Sequence, residues 1–197
     1  MALIVWLTGC AGSTKDGGAG GGASGGDGGG ADGGGGSGST DPGPVAGEDP
    51  SVAGIVAAHN AARAAVQPVP ATALPPLSWS DAAFDTASAW AANCHFGHNP
   101  DADGFGENIY ATSGTATAQG VVASWVSEES DYDYATNSCR TGLLGCGHYT
   151  QVVWRSTTSI GCAAKICTTG SPWGGGSWRF WVCDYAPAGN RERERPY

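Results

Sequence analysis

The chain has 197 residues, a formal net charge of -9, and only nine Lys and Arg, scattered except for Arg191, Arg193 and Arg195, which alternate with Glu192 and Glu194. That balance argues against a nucleic-acid partner and makes the alternating run a solvated face or tail. Composition changes sharply near residue 50, leaving one domain, residues 51–197, of a size that buries about two-thirds of the surface its unfolded chain exposes.

Residues 1–10 form a signal-like segment. Ala2 to Gly9 are too few to span a bilayer as a helix, but suit the apolar part of an export signal. Leu7-Thr8-Gly9-Cys10 resembles the lipobox of bacterial lipoproteins, which implies acylation at Cys10, although no basic region precedes the apolar run. Residues 11–50 read as a Gly-rich linker: 15 of the 22 residues from Gly17 to Gly38 are glycine, too polar and too mobile to bury anything. Its span is roughly 35 Å. Gly22-Ala23-Ser24-Gly25-Gly26 fits the serine-hydrolase pattern only by low-complexity accident, with no strand before it and no helix after.

Within the domain, Pro50-Ser51 marks a helix start, and Val52, Ile55, Val56, His59, Arg63 and Val66 recur at helical spacing until Pro68 and Pro70. A second helix follows Leu77-Ser78-Trp79, capped by Ser80 or Asp81, with Phe84, Ala87, Trp90, Ala91 and Cys94 as its buried stripe and an end near His95. After a polar loop, Thr117 to Glu129 predicts a third helix that puts Val121, Trp125 and Glu128 on one face. The period then changes. Runs at Tyr149–Arg155, Ile160–Cys167 and Trp178–Tyr185 predict an antiparallel meander, so the domain is α+β with helices covering a sheet. Trp173 and Trp178 flank Gly174-Gly175-Gly176, where a hairpin tip would expose them as an apolar contact patch.

Six cysteines, Cys94, Cys139, Cys146, Cys162, Cys167 and Cys183, lie inside the domain, the even number expected of three disulfides in an oxidising compartment, with fifteen pairings open. The rival is a zinc site from Cys94-x3-His98 and Cys146-x-His148, whose spacings do not match the usual close ligand pairs. Chemistry concentrates in His98, Glu107, Glu128 and His148, which come from separate elements. Two imidazoles and a carboxylate can hold a divalent ion while a second carboxylate orients a water; the alternative is a self-satisfied polar network. His59, beside Asn60 and Arg63 on an apolar helix face, reads as structural, and His95 as a weaker alternative ligand.

Several motifs together resemble the CAP superfamily of cysteine-rich secretory proteins, insect venom allergens and class-one pathogenesis-related plant proteins. They are His59-Asn60 with Arg63, Leu77-x-Trp79, Trp90-Ala91, Cys94-x3-His98, Gly106-Glu107-Asn108-Ile109-Tyr110 and Trp125-Val126-Ser127-Glu128. Cys146 to Trp154, Cys183-Asp184-Tyr185, Pro187-Ala188-Gly189-Asn190 and Pro196-Tyr197 complete the set. The resemblance spans residues 51–197. It implies a three-layer α-β-α sandwich with a central antiparallel sheet, disulfides Cys94–Cys167, Cys139–Cys146 and Cys162–Cys183, and a cavity lined by His98, Glu107, Glu128 and His148 that takes zinc or another divalent cation. One departure is a longer stretch between His98 and Glu107, bringing Asp101 and Asp103 to the rim of that cavity.

Fold does not fix activity. The expectation is a secreted or cell-surface binding module, monomeric, held to a membrane only through an N-terminal lipid anchor, with a lipid, a sterol or an extracellular protein as ligand. No nucleophile is recognisable, which leaves catalysis unassigned. The alternatives are a zinc-dependent hydrolase using Glu107 or Glu128 to activate a water, and a carrier of sterol or fatty acid.

Overall fold

In a computed structural model, residues 43–102, 104–142 and 145–197 are described. The signal-like segment, Cys10, nearly all of the Gly-rich linker and Asp103 lie outside them. Four strands form the main sheet in the order β1 (Ser78–Trp79), β5 (Ser159–Cys167), β6 (Trp178–Ala186) and β2 (Gly106–Thr112). All pairings are antiparallel except the short parallel β1–β5 contact. Helix α2 (Asp81–Ala92) covers one face. On the other lie α1 (Ile55–Ala64), α3 (Ala118–Val126) and α4 (Gly147–Val152). A small hairpin, β3 (Tyr132–Asp133) with β4 (Ser138–Cys139), stands apart from the sheet. The result is the expected three-layer α-β-α arrangement.

Alternation along the strands builds two cores. Cys162, Trp181, Cys183 and Tyr185 face the three-helix layer, while Ala163, Phe180 and Val182 face α2. Ala83, Ala87 and Ala91 form the fully buried stripe of α2, and Phe84, Trp90 and Cys94 flank it half-buried. Small side chains let this helix lie almost on the sheet: a Cβ at Gly161 would come within 2.0 Å of the Phe84 backbone nitrogen. Ser80 caps the helix by accepting from Ala83 N at 3.3 Å.

The first helix begins later than its periodicity predicts. Pro50–Val52 is a 3-10 turn, Gly54 takes φ of 87°, and α1 starts at Ile55. Its first amides are satisfied by Glu48, which accepts from Gly54 N at 2.8 Å and Val56 N at 2.9 Å. Arg63, 1% exposed, then ties α1 to the rest of its layer by donating to the carbonyls of Pro75, Val152, Trp154 and Thr157 at 2.8–3.2 Å.

Two segments differ in kind from the sequence reading. Tyr149–Arg155 is not a strand: Gly147–Val152 is a helix in which every residue is buried. With burial all round, no apolar face marks the helical period, and the aromatic and β-branched residues imitate a strand. The stretch predicted as a polar loop contains β2, which pairs with β6 along all seven of its residues. Glu107 and Asn108 hide the strand pattern because both are polar and turned inward, Asn108 being 1% exposed. Trp178 is 2% exposed under Phe96 and Phe180, so of the two flanking tryptophans only Trp173, 44% exposed, stands at the tip.

The three disulfides are Cys94–Cys167, Cys139–Cys146 and Cys162–Cys183. They remove the cysteine–histidine zinc alternative, since an oxidised sulfur is not a thiolate ligand. They also fit an oxidising, extracytoplasmic compartment. The C-terminal segment is more than a solvated tail: Arg195 donates to the carbonyls of Tyr134 and Ala135 and lies 5.4 Å from the centre of the Tyr134 ring. Tyr197 donates to Gln67 O at 2.6 Å and meets the Tyr149 hydroxyl at 3.1 Å.

Candidate functional site

The four residues singled out from sequence form two His–Glu pairs. In the first, His98 Nδ1 lies 2.6 Å from Glu107 Oε1, which also accepts from Asn99 N at 3.0 Å. Glu107 projects from the second residue of β2, an edge strand, and reaches the loop after α2. In the second, His148 Nδ1 lies 2.6 Å from Glu128 Oε1, while Glu128 Oε2 accepts from His148 N at 2.9 Å and Tyr149 N at 3.3 Å. Glu128 is therefore also the anion at the start of α4, where unpaired amides favour negative charge. It sits in the 3-10 turn Ser127–Asp131 rather than on α3, because α3 tightens after Val126. Trp125 packs flat against the His148 ring, with centroids 6.2 Å apart and planes 22° apart.

A buried network fixes the backbone beneath the second pair. His59 Nδ1 donates to Ile55 O at 2.7 Å, so its Nε2 accepts from the Tyr185 hydroxyl at 2.8 Å. Asn108 donates to that hydroxyl and to His148 O, both at 3.1 Å. Burial lowers the pKa of His59 to about 4, with the Arg63 charge adding to it, so the ring stays neutral. Its structural reading from sequence fits this arrangement. His95 is exposed, edge-on to Trp90, and Asp101 is exposed in the turn after Asn99.

Sequence reasoning missed Asp184. Its carboxyl is fully buried, lies across the β2–β6 register from Glu107, and has no hydrogen-bond partner for either oxygen among the described residues. Burial, then the Glu107 charge, raises its pKa to about 9, so it is a neutral acid at pH 7. The available signal was an acidic residue inside the apolar run Phe180–Tyr185.

Do these residues suit a divalent ion? A histidine whose Nδ1–H is held by a carboxylate keeps Nε2 as a free lone pair, the usual support of a metal-binding imidazole. His98 Nε2, His148 Nε2 and Glu107 Oε2 are all buried without a partner. The donor chemistry fits. Yet no three His, Cys, Asp or Glu side chains gather closely enough to hold an ion among the described residues. Any ion held by the imidazoles would take its other ligands from water or from a bound partner.

The sequence pattern of the cysteine-rich secretory protein family, CAP, matches residues 56–185. Pathogenesis-related leaf protein 4 of Solanum lycopersicum is 40% identical over 146 residues, covering 72% of this chain and 80% of its own length. The pathogenesis-related protein PR-1 type of Sambucus nigra is 42% identical over 147 residues, covering 72% and 79%. Among solved structures, that of NaASP2 with Zn2+ superposes with a TM-score of 0.56 at 26% identity, covering 73% of this chain and 82% of its own. With motifs, disulfides, layer order and relatives in agreement, this chain belongs to the cysteine-rich secretory protein (CAP) family.

Proposed function

We propose that this chain is an extracytoplasmic binding module in which His98 and His148 offer their Nε2 atoms to a divalent cation. The observation that carries this reading is the pair of buried, unpartnered Nε2 atoms, each on a ring whose Nδ1 is fixed 2.6 Å from a carboxylate. Glu107 and Glu128 orient the rings and fix the tautomer that leaves Nε2 free. A bound ion would supply positive charge and a polarising centre for a ligand oxygen. The relative solved with Zn2+ supports the same reading. Attachment to a cell surface through acylated Cys10 belongs to it as well, tested by acyl chains in the mass of the native protein.

Titration of chelator-treated protein with zinc, followed by calorimetry and elemental analysis, tests the ion. Uptake should weaken about 10–100-fold in Glu128→Gln, whose amide orients His148 less well. It should vanish in the His98→Ala, His148→Ala double variant. No uptake by the unaltered chain at saturating zinc overturns the proposal. A hydrolytic reading rests on Glu107 Oε2, buried and uncommitted, as the base for a water. Zinc-dependent peptide turnover lost in Glu107→Gln, with zinc uptake retained, decides for it.

A further inference from the structure

The sheet register fixes what the buried Asp184 carboxyl faces. Residues directly opposite each other in antiparallel strands share a face, with Cβ atoms about 4.5–5.5 Å apart. Asp184 stands opposite Glu107 on β2 and Gly161 on β5. Gly161 has no side chain, and the first turn of α2 closes over it, with Phe84 N 2.0 Å from the position a Cβ would take. Glu107 is therefore the one side chain opposite Asp184. Both are withdrawn from solvent, Asp184 being 0% and the Glu107 side chain 6% exposed.

Three oxygens of this pair accept from no donor among the described residues: Glu107 Oε2 and both oxygens of Asp184. Neither carboxyl is in an ion pair with Lys or Arg there. Two ionised carboxylates facing each other in a buried site repel strongly, so the pair holds a proton. Hydrogen bonding decides which of them carries it. Glu107 Oε1 already accepts from His98 Nδ1 at 2.6 Å and Asn99 N at 3.0 Å, which favours its charged form, whereas Asp184 has no donor to hold a charge. Asp184 is thus the acid and Glu107 the carboxylate. The raised pKa of Asp184, caused by burial and then by the Glu107 charge, agrees with this. The two His–Glu pairs then close differently: Glu128 Oε2 takes the amides of His148 and Tyr149, while Glu107 Oε2 has no amide and faces an acid.

We propose that Asp184 positions Glu107, its acid O–H donating to Glu107 Oε2, so that the His98 ring is held by a chain of three side chains, Asp184, Glu107 and His98. Any effect on ion uptake rests on the reading of His98 as a ligand; the chain itself does not.

Infrared difference spectroscopy of the full chain at pH 7 tests the proton. The carbonyl stretch of a protonated carboxyl should be present in the parent and absent in Asp184→Asn. It should move to higher frequency in Glu107→Gln, whose neutral amide is a weaker acceptor than a carboxylate. Nitrogen NMR of the His98 ring is the second readout. Asp184→Asn keeps a donor for Glu107 Oε2, so the ring should keep the parent's Nδ1–H signal and zinc affinity. Asp184→Ala removes that donor, so the ring should populate both tautomers and zinc uptake should weaken about tenfold. A missing carboxyl band, a band unmoved in Glu107→Gln, or equal ring signals in Asp184→Asn and Asp184→Ala overturns the proposal. If the parent takes up no zinc, the ion reading alone fails, and the infrared and ring signals still decide the chain. Should near-ultraviolet circular dichroism show Asp184→Ala unfolded, the band shift in Glu107→Gln decides by itself.

Discussion

Replacing Arg63 by lysine should destabilise the domain by at least about 3 kcal/mol, although charge and length are nearly kept. The guanidinium makes five hydrogen bonds to four carbonyls, three of them buried: Nε and Nη2 to Pro75 O, Nη1 to Val152 O and Trp154 O, and Nη2 to Thr157 O. An ammonium has three donors, so at least two of the five bonds vanish and at least one of the four carbonyls loses its partner. Hydrogen bonds from a charged group contribute about 1.5–3 kcal/mol each, and two of them set the lower bound. Burial already lowers the pKa of Arg63 to about 10, and lysine, being easier to deprotonate, has an added route to losing its donors. The assay is urea unfolding followed by tryptophan fluorescence, with the midpoint shifted and the slope unchanged. For a domain of this size the melting temperature should fall by about 6–12 °C. A loss below about 1 kcal/mol in Arg63→Lys refutes the reasoning, because it would mean the carbonyls find other donors.

Two buried groups should give stability opposite dependences on pH. His59 has a folded pKa of about 4 against 6.5 unfolded, so the unfolded chain binds the extra proton between them; stability rises with pH through that window by about 3 kcal/mol. Asp184 has a folded pKa of about 9 against 3.8 unfolded, so the folded chain holds the extra proton, and stability falls as pH rises from about 4 to about 9. The two slopes offset each other between pH 4 and 6.5. Asp184→Asn should therefore expose the rising His59 slope and be more stable than the parent by a few kcal/mol at pH 7, whereas His59→Gln should expose the falling one. Chemical unfolding across pH measures both, and parallel curves for the two variants would contradict the assignment. Loop entropy ranks the disulfides by separation: about 4 kcal/mol for Cys94–Cys167, about 3 for Cys162–Cys183 and about 2 for Cys139–Cys146. Paired Cys→Ala variants unfolded in urea check that order, and a larger loss at the shortest loop would reject it.

How far the sequence reached is clearest at the site. His98, Glu107, Glu128 and His148 each stand out in the sequence, but not which imidazole meets which carboxylate, since that depends on where α3 tightens into a 3-10 turn and how β2 registers on β6. The spacing of Val121, Trp125 and Glu128 suggested one continuous face; one extra bend moved Glu128 onto the start of α4. Asp184 escaped because its raised pKa comes from burial and from Glu107 across the register on β2, neither of which is visible in the residues adjacent to it in sequence.

By itself the sequence determined the mixed architecture of the fold, the amphipathic helices α1 and α2 and the β5–β6 hairpin. Each of these rests on local periodicity or on composition, which a single chain carries openly. Tertiary structure alone decided that Gly147–Val152 is a helix and Gly106–Thr112 a strand. A segment buried on every side shows no amphipathic period, and a strand that turns polar groups inward shows the wrong one, so both conformations are set by the partners that surround them.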